Sequence, residues 1–230
     1  MELENKMLTI GNEMTIEKKI NKEESTEVEE ENKENEILSF FTLPESEGIA
    51  AKNKTIGIYG DLDEEAAASI VYSLMTFGEL EESKTDNKEE EKVKPIKLIV
   101  STNGGVAHEM FAIYDIMRMI KQVCEIETIG LGKVMSAGVV VLAAGTKGKR
   151  KIGKNCRVMI HPVNAASYGD LKDIENETRE MKYLQKMYIH ALIDNTNMKE
   201  AQIKRLLKKK VNIYLSAEEA IKYGIADEII

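Results

Sequence analysis

The sequence predicts an α/β fold, a spiral of repeated units in which a strand, a turn and a helix follow one another. Two stretches have this plan, residues 96–120 and residues 126–145, and each places a short apolar strand before an apolar helix. A further apolar strand, 157–160, ends at a histidine. Strands that alternate with helices in this way are typical of α/β folds.

Composition and charge exclude several classes of protein. The chain has 230 residues, enough for one domain with a full core and a tail. Its net charge of −8 and its isoelectric point near 5.2 argue against nucleic-acid and anionic-membrane partners, because both attract basic surfaces. The N-terminus lacks a signal-peptide pattern, and the apolar runs are too short to span a bilayer. We therefore expect a cytoplasmic protein.

The two cysteines, Cys124 and Cys156, have neither the number of a disulfide framework nor the spacing of metal ligands. This usage is typical of a reducing compartment. We expect both to be buried small apolar residues and expect no metal centre.

Residues 1–53 differ in composition from the rest of the chain. The run 17–36 is almost wholly charged or amide and has little apolar surface to offset the entropy of ordering it. It predicts a largely disordered acidic arm before a folded domain at 54–230. A short apolar patch at 37–43 offers a docking segment for the domain or a neighbouring subunit, and the alternative for the acidic part is a tail that contacts nothing.

The domain begins with alternating apolar residues that predict a strand over 56–61, followed by apolar residues at helical spacing over 66–77. The charged run 79–94 is predicted to be an exposed loop inserted in the domain. Beyond the histidine, a small polar connection leads to a long amphipathic helix over 171–192 and a basic helix over 199–210. Near the C-terminus, Ser216 and Glu219 have the spacing of a capping box.

The strand 96–100 is followed by Ser-Thr-Asn-Gly-Gly at 101–105, which we predict to be a tight turn. A double glycine between a strand and a helix also suggests a phosphate-binding loop, but the lysine of a P-loop and the third glycine of a dinucleotide turn are missing. We favour another use of Gly105. It has no side chain, so its backbone N–H is open to a substrate carbonyl.

Ser136 stands between a glycine-containing approach, 131–135, and a long segment of small and apolar residues. A hydroxyl at the start of a buried helix is a candidate nucleophile, because unpaired N–H groups there stabilise negative charge. A simple capping serine is the alternative. Lys133, three residues earlier, offers a second alternative as the base of a Ser-Lys pair.

His161 follows an apolar strand, at the edge where open α/β sheets form their sites. A structural histidine is the alternative. His108 falls on the polar side of its helix and His190 lies within a long helix, so neither shares this position. A histidine titrates near neutral pH and can take the proton of a serine hydroxyl, which makes His161 the candidate general base.

Several separated motifs resemble, in the same order, the ClpP family, the proteolytic subunits of Clp protease. They are Ser-Ala-Gly with Leu-Ala-Ala-Gly-Thr-Lys-Gly-Lys-Arg at 136–150, Val-Met-Ile-His at 158–161 and Leu-Ser-Ala-Glu-Glu-Ala at 215–220. The resemblance covers about 54–230. It implies a crotonase-like α/β superhelix with a protruding handle helix, here 171–192.

The same resemblance implies a serine endopeptidase that needs no cofactor. Ser136 matches the nucleophile, His161 the general base, and the backbone N–H groups of Gly105 and Ala137 the oxyanion hole. It also implies heptameric rings stacked into a tetradecamer, unfolded polypeptides as substrates, and an AAA+ unfoldase of the Clp type as the partner that uses ATP.

The third catalytic group departs from the family pattern. The family's aspartate corresponds to Asn212, which can accept a hydrogen bond from the histidine but brings no charge. An aspartate-to-asparagine change in a Ser-His-Asp triad lowers turnover about ten-thousand-fold, so we expect attenuated activity. The alternatives are a carboxylate from Asp170 or Asp173, or no third group. Pro162 also stands where the family usually has glutamine.

Two other functional classes stay open. A structural or regulatory subunit that assembles with an active ClpP-like subunit is favoured by the neutral Asn212. Acyl-thioester chemistry on the same fold requires a carboxylate acid/base, and the motifs at Ser136 and His161 disfavour it.

Overall fold

A seven-stranded sheet and six helices make up the residues that the computed structural model describes, 54–86, 94–208 and 211–230. The side chains of 80–86 are not described. The predicted acidic arm, 1–53, lies outside the described residues.

The strands are β1 (Thr55–Leu62), β2 (Ile96–Gly105), β3 (Ile126–Met135), β4 (Arg150–Ile152), β5 (Arg157–Ile160), β6 (Ile213–Leu215) and β7 (Glu228–Ile229). The helices are α1 (Glu64–Asp86), α2 (Ala107–Ile120), α3 (Ala137–Ala143), α4 (Leu171–Asn195), α5 (Glu200–Lys208) and α6 (Ala217–Tyr223). The mixed α/β class expected from the sequence is confirmed.

The sheet divides at β3, and this division forms the site. The main path runs β1-β2-β3-β4-β7, with every neighbouring pair parallel. The first half of β3, Thr128–Gly130, pairs with β4, whereas the second half, Lys133–Met135, pairs with β5. Because β5 joins only the second half, its C-terminal end lies beside the C-terminal end of β3.

The helix that follows Ser136 is the centre of the core, as its small and apolar sequence predicts. All seven residues of α3 are buried. Its C-terminal carbonyl groups have donors: Lys121 Nζ binds the carbonyl oxygen of Ala144 at 2.7 Å, and Thr128 Oγ1 binds that of Leu142 at 2.8 Å. A buried helix end needs such partners because its last carbonyls have none within the helix. Burial lowers the pKa of Lys121 from its ordinary value.

Two predictions about the chain's irregular segments are wrong. Residues 101–105 are not a tight turn, because β2 continues through them and still pairs with β1 as far as Gly105. The charged run 79–94 is not a loop throughout, because α1 continues to Asp86; residues 87–93 lie outside the described residues. In both cases tertiary pairing or helix continuation outweighs polar composition.

Other local predictions are confirmed. Ser216 and Glu219 form a reciprocal capping box at the start of α6. Cys124 and Cys156 are both buried, and burial raises the pKa of the Cys156 thiol to about 11. The first ten residues of α4 are exposed on nearly every side, as expected of a handle helix.

Candidate active site

Ser136 stands where β3 ends and α3 begins, in a backbone conformation that few residues adopt. Its φ is 53° and its ψ is −118°, and a positive φ is costly for a residue that has a Cβ. Its N–H donates to the carbonyl oxygen of Met159 at 2.8 Å, which ties the turn to β5. The side chain makes no capping hydrogen bond. The hydroxyl is therefore not used as a helix cap.

His161 lies within hydrogen-bond distance of this hydroxyl. The parallel register of β3 and β5 pairs Met135 with Met159, so the residues just beyond these two strand ends are neighbours. The His161 Nε2 to Ser136 Oγ distance is 2.8 Å, within the range of a nucleophile and its base. The structure thus brings together two residues that are separated along the sequence.

The other ring nitrogen of His161 defines the tautomer. Its Nδ1 lies 2.6 Å from the carbonyl oxygen of Pro162. A carbonyl oxygen can only accept, so Nδ1 carries a proton, and in the neutral ring Nε2 is left to accept the O–H of Ser136. This is the tautomer that a general base for a serine requires.

Asn212 is a neighbour of His161 in register but not a bonded partner. The antiparallel ladder of β5 and β6 pairs Ile160 with Ile213. The next pair in this register, just beyond the two strands, is His161 and Asn212. Asn212 is exposed. Within the described ranges, the hydrogen bonds of the His161 ring go to Pro162 and Ser136. The catalytic role of Asn212 stays a prediction.

The two alternative carboxylates are engaged elsewhere or exposed. Asp170 caps α4, and its Oδ1 accepts the backbone N–H groups of Lys172 at 2.8 Å and Asp173 at 3.1 Å. Asp173 is exposed in the first turn of the same helix. Among the described residues, neither carboxylate makes a hydrogen bond to His161.

Lys133 does not bind Ser136. Its Nζ donates to Asn103 Oδ1 at 2.7 Å, and Asn103 Nδ2 in turn donates to Asp61 Oδ1 at 2.9 Å. This exposed group joins the ends of β1, β2 and β3. The structure therefore gives no support to a Ser-Lys pair.

A side chain is excluded at each of the two glycines at the end of β2, but by different neighbours. A Cβ on Gly105 would lie 2.1 Å from the carbonyl oxygen of Leu62, so the missing side chain makes room for β1. The role of the Gly105 N–H in an oxyanion hole stays a prediction. Gly104, which the sequence analysis did not select, has a φ of +93°, and a Cβ there would lie 2.5 Å from Ser136 Cβ. Gly104 therefore allows β2 to approach the serine.

Ser136 and His161 open onto a cavity of about 700 Å³, which Gly105 and Ala137 also line. The long helix α4 supplies an apolar wall. The lining side chains from that wall are Met181, Leu184 and Tyr188, and the lining carboxylates are Asp61, Asp63, Glu177 and Glu180. The volume and the combination of an apolar wall with a few convergent polar groups are those of a ligand-binding pocket.

Tyr188 and Gln185 reach the site from α4, and the sequence analysis missed both roles. The Tyr188 hydroxyl donates to the carbonyl oxygen of Ser136 at 3.4 Å, and burial raises the pKa of Tyr188, which keeps it a donor. The Oε1 of Gln185 accepts the N–H of Val163 at 2.8 Å. The spacing of three residues along an amphipathic helix was the available signal, because it places both on one face.

No group of three or more histidine, cysteine, aspartate or glutamate residues within 54–86, 94–208 and 211–230 is arranged to hold a metal ion. In the same ranges, no helix is both long enough and apolar enough to cross a membrane.

Comparison with known proteins identifies the family. The Clp protease family profile matches residues 45–230. The chain is 32% identical over 179 residues to the ATP-dependent Clp protease proteolytic subunit of Deinococcus radiodurans, covering 78% of this chain and 81% of that protein. It is 38% identical over 142 residues to ATP-dependent Clp protease proteolytic subunit 3 of Synechococcus sp. strain CC9902, covering 61% of this chain and 69% of that one. This chain therefore belongs to the Clp protease family, whose members are serine peptidases.

Proposed function

We propose that this chain is a Clp protease proteolytic subunit that cleaves unfolded polypeptides with Ser136 as nucleophile and His161 as general base. The observation that carries the proposal is the 2.8 Å hydrogen bond between Ser136 Oγ and His161 Nε2 at the surface of a peptide-sized cavity. A serine hydroxyl becomes an effective nucleophile only when a base takes its proton.

In the proposed reaction, Ser136 Oγ bonds to the scissile carbonyl carbon while its proton passes to His161 Nε2. The carbonyl oxygen becomes an oxyanion, which the N–H groups of Gly105 and Ala137 stabilise. Ala137 is the first residue of α3, so its N–H has no partner within the helix. His161 then gives its proton to the leaving amine as the C–N bond breaks, and water releases the acyl group by the same steps in reverse order.

We expect this activity to be attenuated because, among the described residues, the His161 ring makes hydrogen bonds only to uncharged groups of Pro162 and Ser136. The carbonyl group of Pro162 and the predicted partner Asn212 are both neutral. An imidazolium formed during catalysis is stabilised less by a dipole than by a carboxylate. Turnover below that of a family member with an aspartate at the corresponding position follows from this difference.

The wider assembly is part of the same proposal. The two relatives are named as proteolytic subunits of an ATP-dependent protease, and the sequence of this chain carries no P-loop lysine motif. We therefore propose that an AAA+ unfoldase of the Clp type supplies unfolded polypeptide. The subunits would form heptameric rings stacked into a tetradecamer, with the sites facing an interior chamber.

The test compares wild-type protein with Ser136→Ala in hydrolysis of a small fluorogenic peptide, which needs no unfoldase. We expect Ser136→Ala to lower turnover by about a thousand-fold or more, to the limit of detection. Ser73→Ala is the matched control, because Ser73 lies on α1 and does not line the cavity. Equal hydrolysis by wild type and Ser136→Ala, both in the assembled state, would contradict the proposal.

A second candidate function is a non-catalytic subunit that assembles with an active ClpP-type subunit, and the neutral group at Asn212 favours it. Native mass spectrometry of mixtures and labelling with a fluorophosphonate distinguish the two. Mixed rings in which Ser136 is not labelled support the second function. Labelling at Ser136 supports the first.

A further inference from the structure

Gln185 holds one peptide group of the site in a fixed orientation. Its Oε1 accepts the N–H of Val163 at 2.8 Å, across from α4 to the segment that follows β5. The assignment of the amide follows from chemistry, since an N–H donor must face the oxygen of a glutamine side chain. Val163 lines the cavity next to His161.

The carbonyl group that binds His161 belongs to the same peptide unit as the N–H that binds Gln185. Pro162 C=O and Val163 N–H are the two polar ends of one planar group, and no cis peptide bond occurs among the described residues. In a trans unit the two ends point in opposite directions. The side chain of Gln185 and the ring of His161 therefore contact opposite ends of the same rigid group.

These contacts form a continuous chain of hydrogen bonds. Ser136 Oγ bonds to His161 Nε2 at 2.8 Å, His161 Nδ1 bonds to the Pro162 oxygen at 2.6 Å, and the Val163 N–H bonds to Gln185 at 2.8 Å. Hydrogen bonds in such a chain polarise one another. Donation by Val163 to Gln185 makes the Pro162 oxygen a better acceptor for His161.

We propose that Gln185 is a positioning residue that, through the Pro162–Val163 peptide group, orients His161 in place of the missing carboxylate. This inference rests on the proposed function of Ser136 and His161. The peptide dipole directs its negative end at Nδ1, which holds the proton there. An imidazolium formed during acyl transfer then has a fixed acceptor.

The Nε2 atom of Gln185 indicates that this side chain is not there to stabilise the fold. Gln185 Nε2 is a buried atom without a hydrogen-bond partner in the described structure, and such a group costs free energy. Methionine has a similar length and no N–H to satisfy. Gln185→Met therefore removes one unpaired donor and creates another, at Val163, so we expect little net change in stability and a separable change in catalysis.

The experiment uses the assembled full chain and three variants. Gln185→Met removes the acceptor, Gln185→Glu keeps it, and Gln202→Met is a matched control on α5, outside the cavity. Hydrolysis of a fluorogenic peptide is measured across pH, with kcat and KM separated. We expect Gln185→Met to lower kcat about tenfold with a nearly unchanged KM, as a slightly misplaced catalytic group does. The acidic limb of its pH profile shifts to lower pH, because the imidazolium loses a fixed acceptor.

A second readout does not depend on activity. The chain has three histidines, so nitrogen-15 labelling of histidine reports the tautomer of His161, identified by its loss in His161→Ala. Wild type, Gln185→Glu and Gln202→Met should hold the proton on Nδ1, and Gln185→Met should show a mixture of tautomers.

The outcomes separate the two proposals. Gln185→Met with the wild-type pH profile and the wild-type tautomer would overturn the role of Gln185. A changed tautomer in Gln185→Met, but not in Gln185→Glu or Gln202→Met, supports the role of Gln185. This holds even if wild type and Ser136→Ala are equally inactive. Equal inactivity counts against the proposed function only.

Discussion

At the scale of single residues, the hydrogen-bond partners of Ser136 and His161 define the site. Ser136 gives its N–H to Met159 and its hydroxyl to His161. His161 Nδ1 donates to the carbonyl oxygen of Pro162. Proline has no backbone N–H, but its carbonyl group can still accept a hydrogen bond. A main-chain oxygen thus does part of what a side-chain carboxylate does in an Asp-containing triad, namely orient the ring, but it does not supply charge.

The first prediction at this scale concerns Asn212. Asn212→Asp introduces a carboxylate at the position next to His161 in the register of β5 and β6. An opposite charge stabilises the imidazolium and raises the pKa of the histidine. We expect peptide hydrolysis to increase by up to about tenfold, with the acidic limb of the pH profile moved to higher pH.

Two further variants separate the effect of the added charge from the effect of losing the amide. Asn155→Asp adds the same charge in an exposed turn away from the cavity and should leave turnover unchanged. Asn212→Ala removes the amide, and lowered turnover in this variant would assign the amide a role. A fall in activity in Asn212→Asp, with the protein assembled, would refute the predicted effect of charge.

At the scale of elements, the ends of β2, β3 and β5 and the start of α3 must approach closely. Gly104 makes this possible on the β2 side. Its φ of +93° suits glycine, and an added Cβ would lie 2.5 Å from Ser136 Cβ and 2.8 Å from the carbonyl oxygen of Met135. The long helix α4 closes the other side through Tyr188 and Gln185.

The prediction for this approach is that Gly104→Ala both destabilises the fold and disables the site. Positive φ and overpacking together should lower the free energy of unfolding by about 2–5 kcal/mol. Hydrolysis should fall further than the loss of folded protein explains, because the clash displaces Ser136. The chain has no tryptophan, so urea unfolding is followed by circular dichroism.

Gly148→Ala is the matched control for Gly104→Ala. Gly148 has a φ of +85°, but a Cβ there meets nothing within 4 Å. Its cost should be limited to backbone strain, about 1–2 kcal/mol, with hydrolysis per folded molecule unchanged. Equal effects of the two substitutions would show that the approach to Ser136 is less close than the structure indicates.

At the scale of the whole molecule, Arg150 joins the core to the C-terminal elements. Only 4% of its side chain is exposed, against 24% for Asp227, its partner. Arg150 Nε and Nη2 bind the two oxygens of Asp227 at 2.8 and 2.5 Å, and Nη1 binds the carbonyl oxygens of Ala143 and Asn195. One side chain therefore connects the C-terminal ends of α3 and α4 with the turn before β7.

The pH dependence of stability follows from this pair. The Arg150 guanidinium holds the pKa of the Asp227 carboxyl below its ordinary value. The pair's contribution is therefore fully present above the unfolded pKa, about 4, and is lost as pH falls through the lower folded pKa. Asp227→Asn should lower the free energy of unfolding at neutral pH by about 3 kcal/mol, because it leaves a buried cation.

Urea unfolding at several pH values checks this prediction. The difference between wild type and Asp227→Asn should shrink as pH falls below about 4. Asp115→Asn, which removes an exposed carboxylate on α2, should have little effect at any pH. A difference that stays constant down to acid pH would exclude the ion pair as the cause.

Several features could be predicted from sequence because they depend on neighbouring residues. Apolar spacing predicts α2 and α4, the Ser216–Glu219 spacing predicts a capping box that the structure contains, and the small apolar run after Ser136 predicts a buried helix. Each depends on interactions over one turn or one strand, so the order of side chains is sufficient. The same local patterns selected Ser136 and His161 as candidates.

The tertiary structure alone decided how these candidates meet and what supports them. The Ser136–His161 contact depends on the register of β3 and β5. The need for glycine at 104 depends on its distance from Ser136. The roles of Pro162 and Gln185 depend on the packing of α4 against the segment that follows β5. The pairing of distant segments is set by packing of the whole domain, and a one-residue change of register would separate every one of these atoms. The sequence by itself determined the kind of protein and its two reactive side chains, whereas the three-dimensional packing decided which groups orient them.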